Sequence, residues 1–188
     1  SRNQSSADGV AAEHGGKGVA GYNALVNDPE VDAVYNSLPN GLHAEWSIKA
    51  MEAGKHVLCE KPMARNTAEV EEMFRVSEQT GQILVEAFMY RSHPAIQKLI
   101  DTVRGGLLGQ VKLIRSNFSF TREVMERDAR YQVEHAGGGL MDVGCYCVNL
   151  ARAVMDSEPT ETACFAHIHK KGVDLSLIHI SEPTRRRG

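Results

Sequence analysis

The chain has 188 residues and a formal net charge of −3, with 42% hydrophobic and 24% charged residues. This composition is ordinary for a globular protein and gives no basic footprint for nucleic acid, and no apolar run approaches the roughly 20 residues of a membrane span. The length suits one domain or two small ones, and the four cysteines lack the spacing of a structural zinc site, so a cytoplasmic protein with reduced thiols is expected.

Helices and strands alternate in the first half of the chain. The predicted elements are a short helix over 7–14, a strand over 31–38, a helix over 43–53, a strand over 56–59, a helix from 66 to 81 and a strand over 83–88. Asn66 with Glu69 three residues on is a near match to a capping box. Short links between strand, helix and strand favour βαβ units and a parallel sheet, and therefore an α/β fold.

The pattern changes after residue 91. The predicted elements are a helix over 93–103, a long strand over 111–120, a polar loop over 122–135, a second helix over 140–155 and a strand over 161–169. A second α/β domain from about residue 92 is the natural interpretation.

Both ends of the chain are unusual. The start, from Ser1, has no initiator Met and no strand to begin a fold, so a fragment is expected. Leu175 to Arg185 resembles the conceptual translation of a sequencing adapter, and residues 175–188 are therefore predicted to be a non-native tail outside the fold. A genuine basic tail, ending in Arg185 to Arg187, is the alternative.

A charged pair follows the central predicted strand. Glu60 and Lys61 come directly after the apolar segment His56–Cys59, which is expected to be covered on both faces. Ligands bind at the carboxyl ends of strands in open α/β sheets, and Pro62 restricts the backbone as it leaves the strand. On position alone, a plain surface turn explains the pair equally well.

The second predicted helix carries a polar row beside its apolar stripe. Asp142, Tyr146 and Asn149 stand at i, i+4 and i+7 and share one face. The row lies next to the core side of the helix and not opposite it, where it can line a cleft. Spacing alone favours a partly buried structural tyrosine at position 146.

Several strings together resemble the glucose–fructose oxidoreductase and inositol dehydrogenase (Gfo/Idh/MocA) family. The strings are residues 27–34, 38–43, 54–62 with the Glu-Lys-Pro signature, 86–91 and 138–146. Tyr146 stands where many members have histidine, as in the branch of dimeric dihydrodiol dehydrogenase, NADP-dependent D-xylose 1-dehydrogenase and glucose–fructose oxidoreductase. Asn149 lacks the acid of the inositol dehydrogenase type. The resemblance covers residues 1–174.

The resemblance implies a partial Rossmann NAD(P)-binding domain over 1–91, without the first strand and phosphate loop. A partial α/β substrate and dimerisation domain with an open sheet follows over 92–174. The implied activity is NADP-dependent hydride transfer between nicotinamide and a carbinol carbon of a sugar or trans-dihydrodiol, by a protein that is a homo-oligomer when complete and inactive as a fragment. A non-catalytic relative that binds a sugar or nucleotide is the alternative. It is disfavoured because Lys61 and Tyr146 are both present.

The resemblance also implies catalytic roles for Lys61, Tyr146 and Asp142. Oxidation of an alcohol needs a base for the hydroxyl proton. A tyrosine in water titrates near 10, and a nearby cation favours its ionised form. Lys61 is expected to supply that cation and Asp142 to orient the lysine or the tyrosine, with the two motifs meeting at a cleft between domains.

The cofactor is expected to be NADP, with NAD possible, because Arg2 follows the position of the second Rossmann strand and suits a 2′-phosphate. The residues implied to line the cofactor are Ser1, Arg2, Pro39, Asn40, His43, Glu60, Lys61 and Arg91. A surface or capping histidine is the alternative at His43, and a structural salt bridge at Arg91. No metal, nucleic acid or membrane partner is expected; Cys164, His167 and His169 are close in sequence, but a lone pair of histidines is weak evidence.

Overall fold

The computed structural model describes residues 1–121, 123 and 128–183. The chain divides into two compact units. The first contains Ser1–Leu38 and Leu42–Glu86, and the second contains Pro39–Gly41 and the described residues from Ala87 onward. Within the described ranges, no helix has the length and apolarity needed to cross a membrane.

The first unit is built on a three-stranded parallel sheet. Its elements are α1 (Gln4–His14), α2 (Tyr22–Val26), β1 (Ala33–Asn36), a 3₁₀ turn (Asn40–Leu42, shared with the second unit), α3 (His43–Glu52), β2 (His56–Cys59), α4 (Thr67–Thr80) and β3 (Leu84–Glu86). The strand order is β1-β2-β3, with Ala33 opposite His56 and Val57 opposite Leu84. The predicted parallel α/β fold is therefore confirmed, and β2 is the central strand.

The core of this unit lies on one face of the sheet. Its buried members come from the strands, from α3 and α4, and from the segment after β2: Val26, Ala50, Met51, Val57, Cys59, Met63, Ala64, Met73, Val76 and Leu84. Along β2, Val57 and Cys59 are buried whereas His56 and Leu58 are exposed. The prediction that β2 is covered on both faces is thus wrong for the described residues, because the helices that follow β1 and β2 pack on the same side.

Local signals set the helix ends. The Asn66 side chain accepts a hydrogen bond from Glu69 N at 3.0 Å and caps α4. The carboxylate of Glu69 accepts from Arg65 N at 3.0 Å rather than from Asn66 N, so the predicted capping box is formed in part. Gly54 (φ 79°) and Gly81 (φ 69°) adopt left-handed conformations after α3 and α4, which glycine tolerates without a Cβ clash.

The second unit contains two α-helices and a two-stranded antiparallel sheet. Its elements are three 3₁₀ turns (Met89–Ser92, Ala129–Tyr131 and Val133–His135), α5 (Pro94–Arg104), a π-helical stretch (Leu140–Gly144) that continues into α6 (Cys145–Met155), β4 (Pro159–Ile168) and β5 (Asp174–Pro183). Ile100 of α5 packs on Ala153 and Val154 of α6.

Two predictions for this unit are wrong. Residues 111–120 form no strand in the described structure, because they have no neighbouring strand there to pair their backbone groups. Leu175 onward was expected outside the fold, yet β5 pairs with β4, with Ile178 opposite Phe165. The β-branched residues Ile178 and Ile180 supply β-propensity to this segment, whatever its origin. The predicted loop over 122–135 falls partly, and the basic run 185–187 wholly, outside the described residues.

Candidate active-site residues in the two units

The Glu60–Lys61 pair lies at the carboxyl end of the central strand. Glu60 N donates to Asn36 O at 2.9 Å, so the pairing of β1 with β2 continues one residue past the strand. The Glu60 carboxylate accepts from the hydroxyl of Tyr35 and, at 3.1 Å, from Lys61 N. Lys61 is half-buried, and its peptide bond to Pro62 is cis. The backbone that carries the predicted catalytic lysine is thus tied to the end of the sheet.

His43 begins α3 and lies inside the first unit. Its side chain is fully buried. Nδ1 lies 2.8 Å from Pro62 O and Nε2 lies 2.7 Å from Leu38 O. The ring therefore links the loop after β1 to the turn after β2, and neither the surface nor the helix-capping alternative describes it, since the N-cap is Leu42.

Ser1 and Arg2 come just before α1 and its N-cap, Asn3. Ser1 O accepts from Gly21 N at 2.8 Å, which fixes the start of the chain against the segment before α2. Arg2 is exposed and stands next to Asn3, the N-cap whose side chain accepts from Ser6 N at 2.9 Å. A cation beside the N-terminus of an eleven-residue helix is a suitable environment for a phosphate group.

Pro39 and Asn40 belong to a loop that packs within the second unit. Asn40 Nδ2 donates to Ala136 O at 3.1 Å. A Cβ added at Gly41 would lie 2.6 Å from Glu134 O, a distance that a backbone oxygen does not permit. The loop after β1 therefore has a fixed path against residues 134–136.

Tyr146 lies in an aromatic cluster of the second unit. Its ring centroid is 5.3 Å from that of Phe88, 5.4 Å from Phe118 and 5.9 Å from Tyr90. Its hydroxyl lies 3.6 Å from the sulfur of Met89. The aromatic contacts hold the Tyr146 ring in place.

Asn149 organises the polar groups one turn further along α6. Its Oδ1 accepts from the hydroxyl of Tyr90 at 2.5 Å and from Arg91 Nη1 at 3.2 Å. Arg91 is thus held by a neutral amide, whereas a structural salt bridge was the sequence-based alternative. Tyr90 was not predicted as a site residue, although it lies in the string 86–91 that supports the family resemblance.

Asp142 faces an arginine that the sequence did not single out. Arg130 Nε donates to Asp142 Oδ2 at 2.9 Å, and Arg130 also pairs with Asp128. Asp142 lies in the π-helical stretch, whose wider turn departs from the α-helical spacing used to place it on the face of Tyr146. Arg130 comes from a polar segment without a period, which gave no signal.

Burial raises the pKa of two nucleophilic groups near these motifs, Tyr90 and Cys59. Desolvation raises the pKa of Tyr90, and the charge of Arg91 opposes this in part, so its hydroxyl remains a donor to Asn149. Burial raises the pKa of the Cys59 thiol to about 11, which excludes a thiolate at neutral pH.

The second unit contains a cavity that Tyr146 does not line. It has a volume of about 740 Å³ and is lined by the apolar side of α6, by β5 and by residues 112–120. Asp142 and Arg130 border it. Among the described residues, no group of three or more His, Cys, Asp or Glu side chains is placed to hold a metal ion.

Comparison with known proteins identifies two family domains. Residues 1–88 match the oxidoreductase family with an NAD-binding Rossmann fold, and residues 96–180 match the Gfo/Idh/MocA C-terminal domain. Together the two matches span most of the chain.

Relatives with described activities match both halves. D-xylose 1-dehydrogenase (NADP(+)) 2 of Haloferax volcanii is 40% identical over 183 residues, 97% of this chain and 56% of that protein. Trans-1,2-dihydrobenzene-1,2-diol dehydrogenase of Xenopus tropicalis is 31% identical over 172 residues, 91% of this chain and 52% of that protein. The chain spans about half the length of these relatives.

A solved relative has the same fold. The structure of KijD10, a 3-ketoreductase from Actinomadura kijaniata in complex with NADP and TDP-benzene, superposes with a TM-score of 0.79 at 32% identity, over 94% of this chain and 55% of that one. The two family domains, the curated relatives and this structure agree: the chain belongs to the Gfo/Idh/MocA oxidoreductase family.

Proposed function

We propose that this chain carries the cofactor and catalytic residues of an NADP-dependent dehydrogenase that acts on a CH–OH group of a sugar or trans-dihydrodiol. The observation that carries the proposal is the Glu60–Lys61 turn at the carboxyl end of the central parallel strand, the edge at which ligands bind in such sheets. The names of the xylose and dihydrodiol dehydrogenase relatives support this substrate class.

The residues of the first unit fit NADP at both of its ends. Exposed Arg2, beside the N-terminus of α1, suits the 2′-phosphate. Glu60, held by the hydroxyl of Tyr35, offers carboxylate oxygens to ribose hydroxyls at the nicotinamide end. Ser1 of this unit, and Pro39, Asn40 and Arg91 of the second unit, are the other proposed cofactor residues, and His43 acts through the backbone it holds.

Tyr146 and Lys61 are the proposed acid–base pair. Bound NADP⁺ supplies the hydride acceptor. Tyr146 takes the proton of the substrate hydroxyl while the carbinol carbon loses its hydride and becomes a carbonyl carbon. The ammonium of Lys61 favours the ionised phenol before the transfer. Asp142, paired with Arg130, is proposed to hold the π-helical stretch that leads into α6 and so to orient Tyr146.

The proposal extends to location and assembly. The proposed site of action is the cytoplasm, a reducing compartment that suits the four cysteines, Cys59, Cys145, Cys147 and Cys164. A homo-oligomer is proposed from the family's C-terminal domain, which residues 96–180 match.

The test uses a chimera because the chain spans 56% of the Haloferax volcanii relative. Residues 1–174 replace the matching segment of that enzyme, and NADPH formation is followed with D-xylose and with a trans-dihydrodiol. Lys61→Met is expected to lower kcat by about 10²- to 10⁴-fold, because proton transfer loses its cation. Lys98→Met, an exposed lysine of α5, is the matched control. A chimera that binds NADP tightly but turns over neither substrate would refute catalysis and favour a regulatory relative.

A further inference from the structure

The backbone directly after Lys61 is bonded to the last residue of β3. Met63 N donates to Glu86 Oε1 at 2.8 Å, and Met63 is 7% exposed, so the bond is sheltered from water. Glu86 stands opposite Cys59 in the parallel register, which places its side chain beside the end of β2. Hydrogen bonds to an ionised carboxylate are roughly twice as strong as those between neutral groups.

A second side chain bonds to the same turn from α3. His43 Nδ1 lies 2.8 Å from Pro62 O, and its Nε2 lies 2.7 Å from Leu38 O. Both partners are acceptors, so the doubly protonated ring satisfies both contacts and the neutral ring donates to one of them. Cys59 adds a weaker bond, with Sγ 3.6 Å from Met63 O. The turn is therefore held from β2, from β3 and from α3.

We propose that Glu86 and His43 are positioning residues for Lys61. They fix the Pro62–Met63 backbone from α3 and β3. The Cα of Lys61 therefore keeps one position relative to the end of β2. This inference rests on the catalytic role proposed for Lys61. Neither residue needs to touch substrate or cofactor to act in this way.

A lysine needs such a clamp, by which we mean the bonds of Glu86 and His43 to the Pro62–Met63 backbone, because of its own side chain. Its ammonium stands at the end of a flexible four-carbon stem, and a displacement of about 1 Å at a catalytic group can cost on the order of 10²-fold in rate. Turns at strand ends lack the pairing that fixes a strand. Side-chain bonds to Pro62 O and Met63 N replace that pairing where the sheet ends.

Glu86 gives the cleaner test because it is half-buried at the end of a strand, whereas His43 is fully buried. Glu86→Ala removes the acceptor, and Glu86→Gln keeps an Oε1 acceptor of nearly the same shape without the charge. Glu78→Ala removes an exposed glutamate of α4 as the matched control. All variants are made in the full 188-residue chain.

The first measurement is hydrogen–deuterium exchange of the Met63 amide by NMR. Loss of a hydrogen bond to a charged group is expected to speed exchange at Met63 by about 10- to 100-fold in Glu86→Ala. Glu86→Gln is expected to restore much of the protection, and Glu78→Ala to match wild type. The amides of Val57 and Leu58 in β2 report general loosening, and they should change far less than Met63.

The second measurement is the acetylation rate of Lys61, with Lys49 as internal reference, from peptide mass spectrometry. Lys61 is half-buried and is expected to react several-fold faster in Glu86→Ala and near the wild-type rate in Glu86→Gln. An unchanged Met63 exchange rate, an equal rise at Val57, or an unchanged Lys61 rate would each overturn the proposal.

Turnover in the chimera separates this inference from the proposed function. Glu86→Ala is expected to lower kcat with recovery in Glu86→Gln and little change in KM for NADP. If Lys61→Met leaves turnover intact, the catalytic role of Lys61 fails, while the exchange and acetylation results still decide whether the clamp exists.

Discussion

The stability of the first unit should depend on pH through Cys59. The thiol is fully buried, and burial raises its pKa from 9.0 to about 11. The folded state therefore keeps the proton where the unfolded chain loses it. Stability from this group is complete below pH 9 and is lost as the pH rises from 9 towards 11. Two pKa units correspond to about 2.7 kcal/mol at most, since one unit is about 1.36 kcal/mol.

Urea unfolding from pH 8 to pH 11 measures this loss. Trp46, the single tryptophan, lies on α3 of the same unit and packs against its core, so its fluorescence reports the unit that contains Cys59. The compared chains are wild type, Cys59→Ser and Cys164→Ser. Lysines and tyrosines titrate in the same window in all three, and their contribution cancels in the differences.

Wild type and Cys164→Ser, which changes an exposed side chain, should lose stability together with rising pH. Cys59→Ser should be less stable at pH 8 but should lose less between pH 9 and 11, by up to about 2.7 kcal/mol. Parallel curves for wild type and Cys59→Ser would refute the reasoning, because a thiol that ionises alike in both states is not held neutral by burial.

Two further predictions concern the second unit and α4. In the chimera, Tyr146→Phe should keep the ring contacts and the melting temperature but lower kcat by about 10²- to 10⁴-fold, and near-full activity of this variant would exclude Tyr146 as the base. Lys61→Met should shift the kcat–pH profile to higher pH, and in the double mutant the two losses of kcat should be far from additive. Asn66→Ala should lower the unfolding free energy by about 1 kcal/mol through loss of the cap, which urea unfolding can check with Thr67→Ala, at an exposed residue of the same helix, as the comparison.

The strand–helix alternation of the first unit was predictable because its signals are local. Strand β2 has the predicted bounds, and Asn66 and Gly81 mark the ends of α4 as expected. The sequence of β2 did not predict that one face of the sheet is open. A short apolar segment has the same pattern whether one face or both faces of its strand are covered. Which face is covered depends on helices elsewhere in the chain.

The site residues were also predictable only where the signal is local. Glu60 and Lys61 follow a strand, and the strand-end rule placed them correctly at the end of the sheet. The bond from Met63 to Glu86 spans 23 residues, and that from Tyr90 to Asn149 spans 59. No periodicity in one sequence encodes such pairs. Asp142 was assigned to the face of Tyr146 by α-helical spacing, which the π-helical stretch does not follow.

The neutral amide at position 149 has a consequence for the aromatic cluster. Asn149 takes two donors on one oxygen, from Tyr90 and from Arg91, and this fixes its orientation on α6 one turn after Tyr146. A carboxylate at 149 would form an ion pair with Arg91 and cancel much of its charge. With an amide partner, the charge of Arg91 acts on Tyr90, where it opposes in part the rise in pKa that desolvation causes.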